Sequence, residues 1–108
     1  MKTPLGESEA LLRHGAANMW RGIEAVGGRL YLTSRRLVFE SHGFNIRTGI
    51  TILQLSDISA MRARRTLLLV PNGIEIRLAD GRVEKFVVWR RAQWLSAITR
   101  ARGQHTAA

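Results

Sequence analysis

The chain contains no cysteine among its 108 residues, which excludes disulfide bonds and thiolate metal ligands. It also lacks an apolar run near the ~20 residues that a membrane-spanning helix needs. The residues after Met1 do not form the apolar segment of a cleaved signal peptide. A chain without cysteine suits a reducing compartment, so we expect a cytoplasmic protein whose membrane contact, if it has one, is peripheral at the inner face.

Acidic residues are scarce relative to basic ones. Eight Asp and Glu face seventeen Lys and Arg, which gives a formal net charge of +9. Such a surface attracts polyanions, either lipid headgroups or nucleic acid. All the basic residues except Lys2 and Lys85 are arginine, a bias that genomic composition also explains. Both explanations of the charge stay open at this point, and the positions of the charges must decide between them.

The most informative part of the chain reads GGRLYLTSRRLVFES. It contains two short apolar runs, Leu30–Thr33 and Leu37–Glu40, separated by three residues. Runs this short with a connection this tight predict an antiparallel hairpin. We place a preceding strand at Asn18–Val26 and a tight turn at Gly27 and Gly28, because glycine adopts positive φ without strain. Residues before that strand are expected to form a short lead-in.

Later segments also favour strands. Ile50–Leu55 is rich in β-branched residues, and Ile58–Val70 indicates one long strand that is interrupted near Arg64-Arg65. Pro71–Gly73 and Asp80-Gly81 are strong turn signals. Between these two turns apolar and polar residues alternate, as in a half-buried strand.

After Trp89 the apolar period becomes helical. Apolar side chains recur at i, i+4 and i+7, at Trp94, Ile98 and Ala101. The pattern predicts a C-terminal amphipathic helix that ends at Gly103, with Trp89 and Trp94 at its contact with the strands. We therefore expect a single domain over residues 1–103, followed by a disordered tail over 104–108. The whole pattern indicates about seven antiparallel strands closed by one helix.

In their order and spacing, several segments resemble the signature of the GRAM domain, a small barrel of the pleckstrin-homology superfamily. The matching segments are Gly6-Glu7, Gly27–Ser41, Leu55–Ile58, Pro71–Gly73, Asp80–Arg82, Phe86 with Val88, and Trp94 with Ile98. The resemblance implies a mainly β fold: a pleckstrin-homology-like barrel of about seven antiparallel strands in two near-orthogonal sheets, capped by one C-terminal α-helix. It also implies a binding module, because family members associate with membranes and several recognise anionic lipids.

The candidate binding residues lie on one predicted rim. Alternate turns of an antiparallel meander share one end of the sheet, so the Gly27-Gly28 turn, the Ser41–Gly49 loop and the Asp80-Gly81 turn are expected together. In the superfold that the chain resembles, this end is open and binds headgroups. The candidate lipid-binding residues are Arg29, His42, Phe44, Arg47 and Arg82. An apolar tip ringed by cations suits shallow contact with an anionic membrane; alternatively, Phe44 folds back and plugs the barrel.

No catalytic or metal-binding pattern has the spacing that its chemistry requires. Gly22–Arg29 lacks the lysine and the following helix of a phosphate-binding loop. Ser41 and His42 are adjacent, so on a strand they point to opposite faces. The three histidines, which include His14 and His105, are scattered along the chain. We expect no enzyme, no metal and no cofactor.

Three kinds of partner remain, in decreasing order of support. The first is anionic phospholipid at a membrane surface. The second is a protein or peptide bound at a sheet edge or groove. The third is nucleic acid, which we rank last because no aromatic residue lies among Arg62, Arg64 and Arg65 to stack on bases.

Overall fold

The structure, a computed structural model, describes residues 1–21, 24–42, 49–66 and 70–106. Within these residues, seven strands precede one helix: β1 Leu11–Arg21, β2 Glu24–Thr33, β3 Arg36–Ser41, β4 Ile50–Gln54, β5 Ile58–Thr66, β6 Val70–Leu78, β7 Val83–Val88 and α1 Arg91–Thr106. One turn of 3-10 helix, Leu55–Asp57, links β4 to β5. The predicted mainly β architecture with a C-terminal helix is confirmed.

The strands form one antiparallel sheet of order β4-β3-β2-β1-β7-β6-β5. β1 pairs with β2 from Leu11 to Arg21, but with β7 only from Ala17 to Trp20. The second half of β1 therefore carries ladder hydrogen bonds on both edges and joins the two halves of the sheet. This pairing replaces the two separate sheets that the resemblance implies, and the ladders of the described residues do not join β4 to β5.

One face of the sheet, called the inner face, carries the hydrophobic core. Its fully buried side chains are Met19, Leu30, Leu32, Leu37, Phe39, Leu53, Ile74, Ile76 and Phe86. Helix α1 covers this face with Trp94 and Ile98, which are also buried, as predicted. Burying a side chain of this size contributes about 1.5–3 kcal/mol. The guanidinium of Arg102 donates to the carbonyl of Ile58 at 2.8 Å, which ties the helix to the start of β5. The helix continues past its predicted end at Gly103.

The predicted turn at Gly27 and Gly28 is wrong. Both glycines lie inside β2 and pair with β1, and the β1–β2 ladder continues beyond them to the pair of Arg21 with Glu24. Glycine is required at position 28 because β3 approaches closely. A Cβ atom there would lie 2.3 Å from the carbonyl oxygen of Glu40, and neither residue 27 nor 28 has positive φ. Close approach of two backbones, and not a turn, explains the pair.

Two other predicted boundaries also differ. β1 begins at Leu11, because the expected lead-in already pairs with β2. Pro71 lies in β6 and not in a turn, and the long strand expected from Ile58 ends at Thr66. A register shift between Arg64 and Thr66, where the sequence predicts an interruption, breaks the β5–β6 ladder opposite Pro71. Proline is tolerated at strand starts and bulges, so it fits there without a turn.

The N-terminal segment is fastened to the sheet by buried carboxylates. Glu40 of β3 accepts hydrogen bonds from the backbone N–H groups of Lys2 and Thr3, at 2.9 Å and 2.7 Å, and from the Thr3 hydroxyl at 2.8 Å. Burial alone would raise the pKa of Glu40, but these donors outweigh it and hold the pKa below its ordinary value.

Among the described residues, no helix is long and apolar enough to span a bilayer.

Candidate functional site

Three strand ends meet around a cavity of about 460 Å³, called here the mouth cavity. It is lined by Arg21, Ile50, Thr51, Ile52, Arg82 and Glu84. β7 runs antiparallel to β1, which places the β6–β7 turn beside the end of β1. The start of β4 brings in the connection from β3. The sequence predicts that the connections next to these strand ends lie together on one rim of the sheet.

Arg21, the last residue of β1, spans the mouth cavity. Its Nη2 donates to the hydroxyl oxygen of Thr51 in β4 at 3.2 Å, and the arginine is otherwise exposed. This bond positions a guanidinium between the two halves of the opening. Arg21 is not among the predicted site residues, because the first turn was predicted at Gly27-Gly28.

Arg82 is oriented by its neighbour in the β6–β7 turn. Its backbone N–H and its Nε donate to the carboxylate of Asp80, at 2.9 Å and 2.8 Å. Both donors lower the pKa of Asp80, and the backbone N–H of Arg82 has the larger effect. Gly81 between them has a φ of +94°, which glycine adopts without strain. Both side chains are more than half exposed, so the pair contributes little stability, but it holds Arg82 next to the cavity.

Exposed isoleucines lie beside these cations. Ile50 and Ile52 are 47% and 41% exposed, and they share one face of β4 because strand residues alternate. Leu53, on the opposite face, is buried in the core. β4 thus combines one buried face with an apolar strip in solvent. Among the described residues that line the mouth cavity, Glu84 is the one carboxylate, and it is half-buried.

Two predicted residues lie outside the mouth cavity itself. Arg29 is in the middle of β2, where its Nη2 lies 2.8 Å from Nδ1 of His14 on β1, and the ring of His14 stacks on Tyr31. The predicted rim position of Arg29 is therefore wrong, because the residue does not follow a turn. His42 directly follows β3, and its N–H donates to the carbonyl of Gly27 at 2.9 Å. Arg29 and His42 meet on a separate cavity of about 250 Å³.

The other predicted residues divide between the mouth and the undescribed part of the chain. Of the five candidates, Arg82 lines the mouth cavity. Phe44 and Arg47 fall within 43–48, outside the described residues, and they stay predictions. The described residues contain no group of His, Asp and Glu side chains that could hold a metal ion.

Comparison with known proteins agrees with this architecture. The model of the GRAM domain matches residues 1–93. The chain is similar to the crystal structure of the C-terminal domain of an unknown protein from Leishmania infantum, with 19% identity, a TM-score of 0.76, and 88% of this chain and 85% of that one covered. It is also similar to the Vps36 N-terminal PH domain, at 14% identity, a TM-score of 0.76, and 97% and 87% coverage. The human ARAP2 N-terminal PH domain matches at 14% identity, a TM-score of 0.68, and 97% and 88% coverage.

Proposed function

Because the chain belongs to the GRAM domain family, we propose that it is a non-catalytic binding module that associates peripherally with anionic lipid headgroups at a membrane surface. The contact surface is the mouth cavity together with the 42–49 connection that leads into β4. In this proposal Arg21 and Arg82 attract the headgroup phosphates. Phe44 and Arg47 in the connection, flanked by His42, complete the surface, whereas Arg29 is not part of it.

The observation that carries the proposal is the combination of charge and exposed apolar surface at the mouth. Two guanidiniums, Arg21 and Arg82, and two exposed isoleucines, Ile50 and Ile52, surround one opening. A cation beside an exposed apolar side chain suits the interface of an anionic bilayer, where the charge meets phosphate and the apolar group leaves water.

The expected affinity is modest. Each Arg near an anionic surface contributes about 1 kcal/mol, and burying an exposed isoleucine contributes at most about 1.5–3 kcal/mol. Ordering of the side chains and the loss of translational freedom oppose these terms. The half-buried Glu84 also repels phosphate. Binding is therefore expected to weaken as salt screens the charges.

The test is flotation of the purified protein with phosphatidylcholine vesicles, with and without phosphatidylserine, at low and at physiological ionic strength. We expect flotation only with the anionic vesicles, and a several-fold reduction in Arg21→Ala/Arg82→Ala. Phe44→Ala/Arg47→Ala tests the undescribed part of the surface in the same way. Two exposed arginines outside the mouth provide the control, Arg35→Ala/Arg77→Ala, which removes the same charge.

The control variant separates a site from a general charge effect. If it loses as much binding as the mouth variant, the vesicles respond to the net charge alone and the proposed site is wrong. Flotation with pure phosphatidylcholine, or none with anionic vesicles at physiological ionic strength, would likewise contradict the proposal. Unfolding by urea, measured for each variant, shows that the folds are intact.

A further inference from the structure

The first half of β1 has one edge without a neighbouring strand. β2 pairs along all of β1, whereas β7 begins its pairing only at Ala17 and leaves the sheet after Val88. Among the described residues, no strand therefore pairs with the opposite edge of Leu11–Ala16. At ~3.4 Å per residue this edge is about 20 Å long. An open edge of this length is a template for an added strand.

A groove lies between Arg13, in this part of β1, and helix α1, which covers the inner face of the sheet. The groove has a volume of about 500 Å³ and is lined by Arg13, Ala92, Gln93, Ser96, Ala97 and Arg100. The small side chains of Ala92, Ser96 and Ala97 lie on successive turns of the helix, on the side that faces the groove. They leave room for another backbone beside the helix.

The groove is basic. It has two guanidiniums, from Arg13 and Arg100, and none of its lining residues is a carboxylate. Within the described chain, no Asp or Glu pairs with either arginine. Arg13 packs over the ring of Trp94, 5.1 Å from its centroid, and its buried Nε has no hydrogen-bond partner in the described structure. A buried donor without a partner costs free energy, so no acceptor of the described chain compensates this part of the Arg13 guanidinium.

From this combination we infer that the groove binds an extended acidic peptide segment of a partner protein. The peptide adds a strand to the free edge of Leu11–Ala16, and its carboxylates contact Arg13 and Arg100. Backbone hydrogen bonds along the edge supply affinity, and the guanidiniums select acidic side chains. Leu11 and Leu12, which are 39% and 49% exposed at the start of the edge, offer apolar contacts to the same peptide.

This site is distinct from the mouth cavity and shares no lining residue with it. The module thus carries two separate surfaces, one for an anionic membrane and one for an acidic peptide. Failure of one proposal leaves the other intact.

The experiment selects peptides from a phage library of short random linear sequences on the immobilised full chain. The enriched peptides are synthesised and their affinity is measured by fluorescence anisotropy. We expect sequences rich in Asp and Glu, with β-branched residues between them. Arg100→Glu is expected to weaken binding about tenfold or more. Arg77→Glu, which makes the same charge change on exposed β6, is the matched control and is expected to have a much smaller effect.

Two further measurements keep the result interpretable. Arg13→Gln tests the second guanidinium, with its melting temperature measured because Arg13 packs on Trp94. Hydrogen exchange is expected to show new protection of backbone amides within Leu11–Ala16 when the peptide is bound. Anionic-vesicle flotation of Arg100→Glu is expected to equal that of Arg77→Glu.

Several outcomes would overturn the inference. The first is a selection that yields no peptide, or only neutral and basic peptides. The second is an Arg77→Glu variant that weakens peptide binding as much as Arg100→Glu does. The third is that the bound peptide protects backbone amides at the β5 edge and not at the β1 edge. Light scattering that shows a dimer broken by Arg100→Glu would assign the groove to a second copy of the chain, and would also reject the peptide.

Discussion

Glu9 and Arg36, 27 residues apart, form a two-pronged ion pair that fastens the N-terminal segment to β3. Arg36 Nε and Nη2 donate to the two carboxylate oxygens of Glu9, each at 2.8 Å. The side chain of Glu9 is only 2% exposed, and it also accepts hydrogen bonds from the Gly6 N–H and the Thr33 hydroxyl. The bonds from Arg36 are the main cause that lowers the pKa of Glu9 to about 2, although burial opposes the change.

The first prediction concerns stability at acid pH. The pKa of Glu9 is about 2 in the folded chain, against an ordinary value of 4.5. The unfolded chain therefore takes up the proton first as pH falls. The stabilisation is complete above the ordinary pKa and is lost between pH 4.5 and about 2. Glu9→Gln is expected to lower the free energy of unfolding at neutral pH by about 3 kcal/mol, because it leaves Arg36 without its charged partner.

Urea unfolding of wild type and Glu9→Gln, measured from neutral to acid pH, checks this expectation. The two curves should converge as the pH falls to about 2, where Glu9 loses its charge. Glu7→Gln is the control, since Glu7 is exposed in the same segment, and its unfolding should match the wild type. A constant difference between Glu9→Gln and wild type across this pH range would show that the ion pair is not its cause.

The second prediction compares two glycines. In Gly28→Ala the new Cβ would lie 2.3 Å from the backbone oxygen of Glu40 and 2.8 Å from the Cα of Ser41. Backbone atoms of a paired strand cannot move away without breaking the β2–β3 ladder, so we expect a loss of about 3 kcal/mol or more. In Gly49→Ala no atom of the described residues beyond its chain neighbours lies within 4 Å of the new Cβ, and we expect a change within about 1 kcal/mol. Thermal unfolding of both variants tests this, and similar melting temperatures would refute the close approach.

The third prediction compares the stability effects of two tryptophans, Trp89 and Trp94, which the sequence predicts at the same contact between helix and strands. Trp94 is 2% exposed and packs between the helix and the core, whereas Trp89 is 76% exposed. Trp94→Ala is therefore expected to cost about 3–5 kcal/mol of stability, and Trp89→Ala less than about 0.5 kcal/mol. Urea unfolding monitored by circular dichroism avoids relying on the removed fluorophore. A large loss in Trp89→Ala would mean that its side chain packs against the protein.

The tryptophans also show what the sequence can and cannot predict. Trp94 was predicted to be buried because Ile98 and Ala101 follow it at helical spacing, and that period fixes a common face. Trp89 precedes the helix, so no period constrains it, and its predicted place in the same contact was wrong. The spacing of apolar residues thus predicted the C-terminal helix and the side of it that faces the core. It did not identify residues at the junctions between elements.

The errors at the mouth have a related cause. A glycine pair signals either a turn or a close approach of backbones, and the local sequence does not distinguish the two. Placing the turn at Gly27-Gly28 moved Arg29 to the rim and hid Arg21. Arg82 lies next to the predicted turn because Asp80-Gly81 is a strong hairpin signal. The ion pair of Glu9 with Arg36 could not be predicted, since it depends on how the N-terminal segment folds back.

The last prediction uses Asp80 to test whether the mouth itself binds anionic lipid. Asp80→Asn removes the carboxylate that holds the Arg82 guanidinium, and it preserves the turn because Asn-Gly is favoured there. The freed charge should strengthen binding to phosphatidylserine vesicles by about 1 kcal/mol, roughly fivefold. Asp57→Asn adds the same charge at an exposed position outside the mouth cavity, so it should change binding much less. If both variants gain equally, only the net charge attracts the vesicles, because neither the position of Arg82 nor its release from Asp80 then contributes to binding.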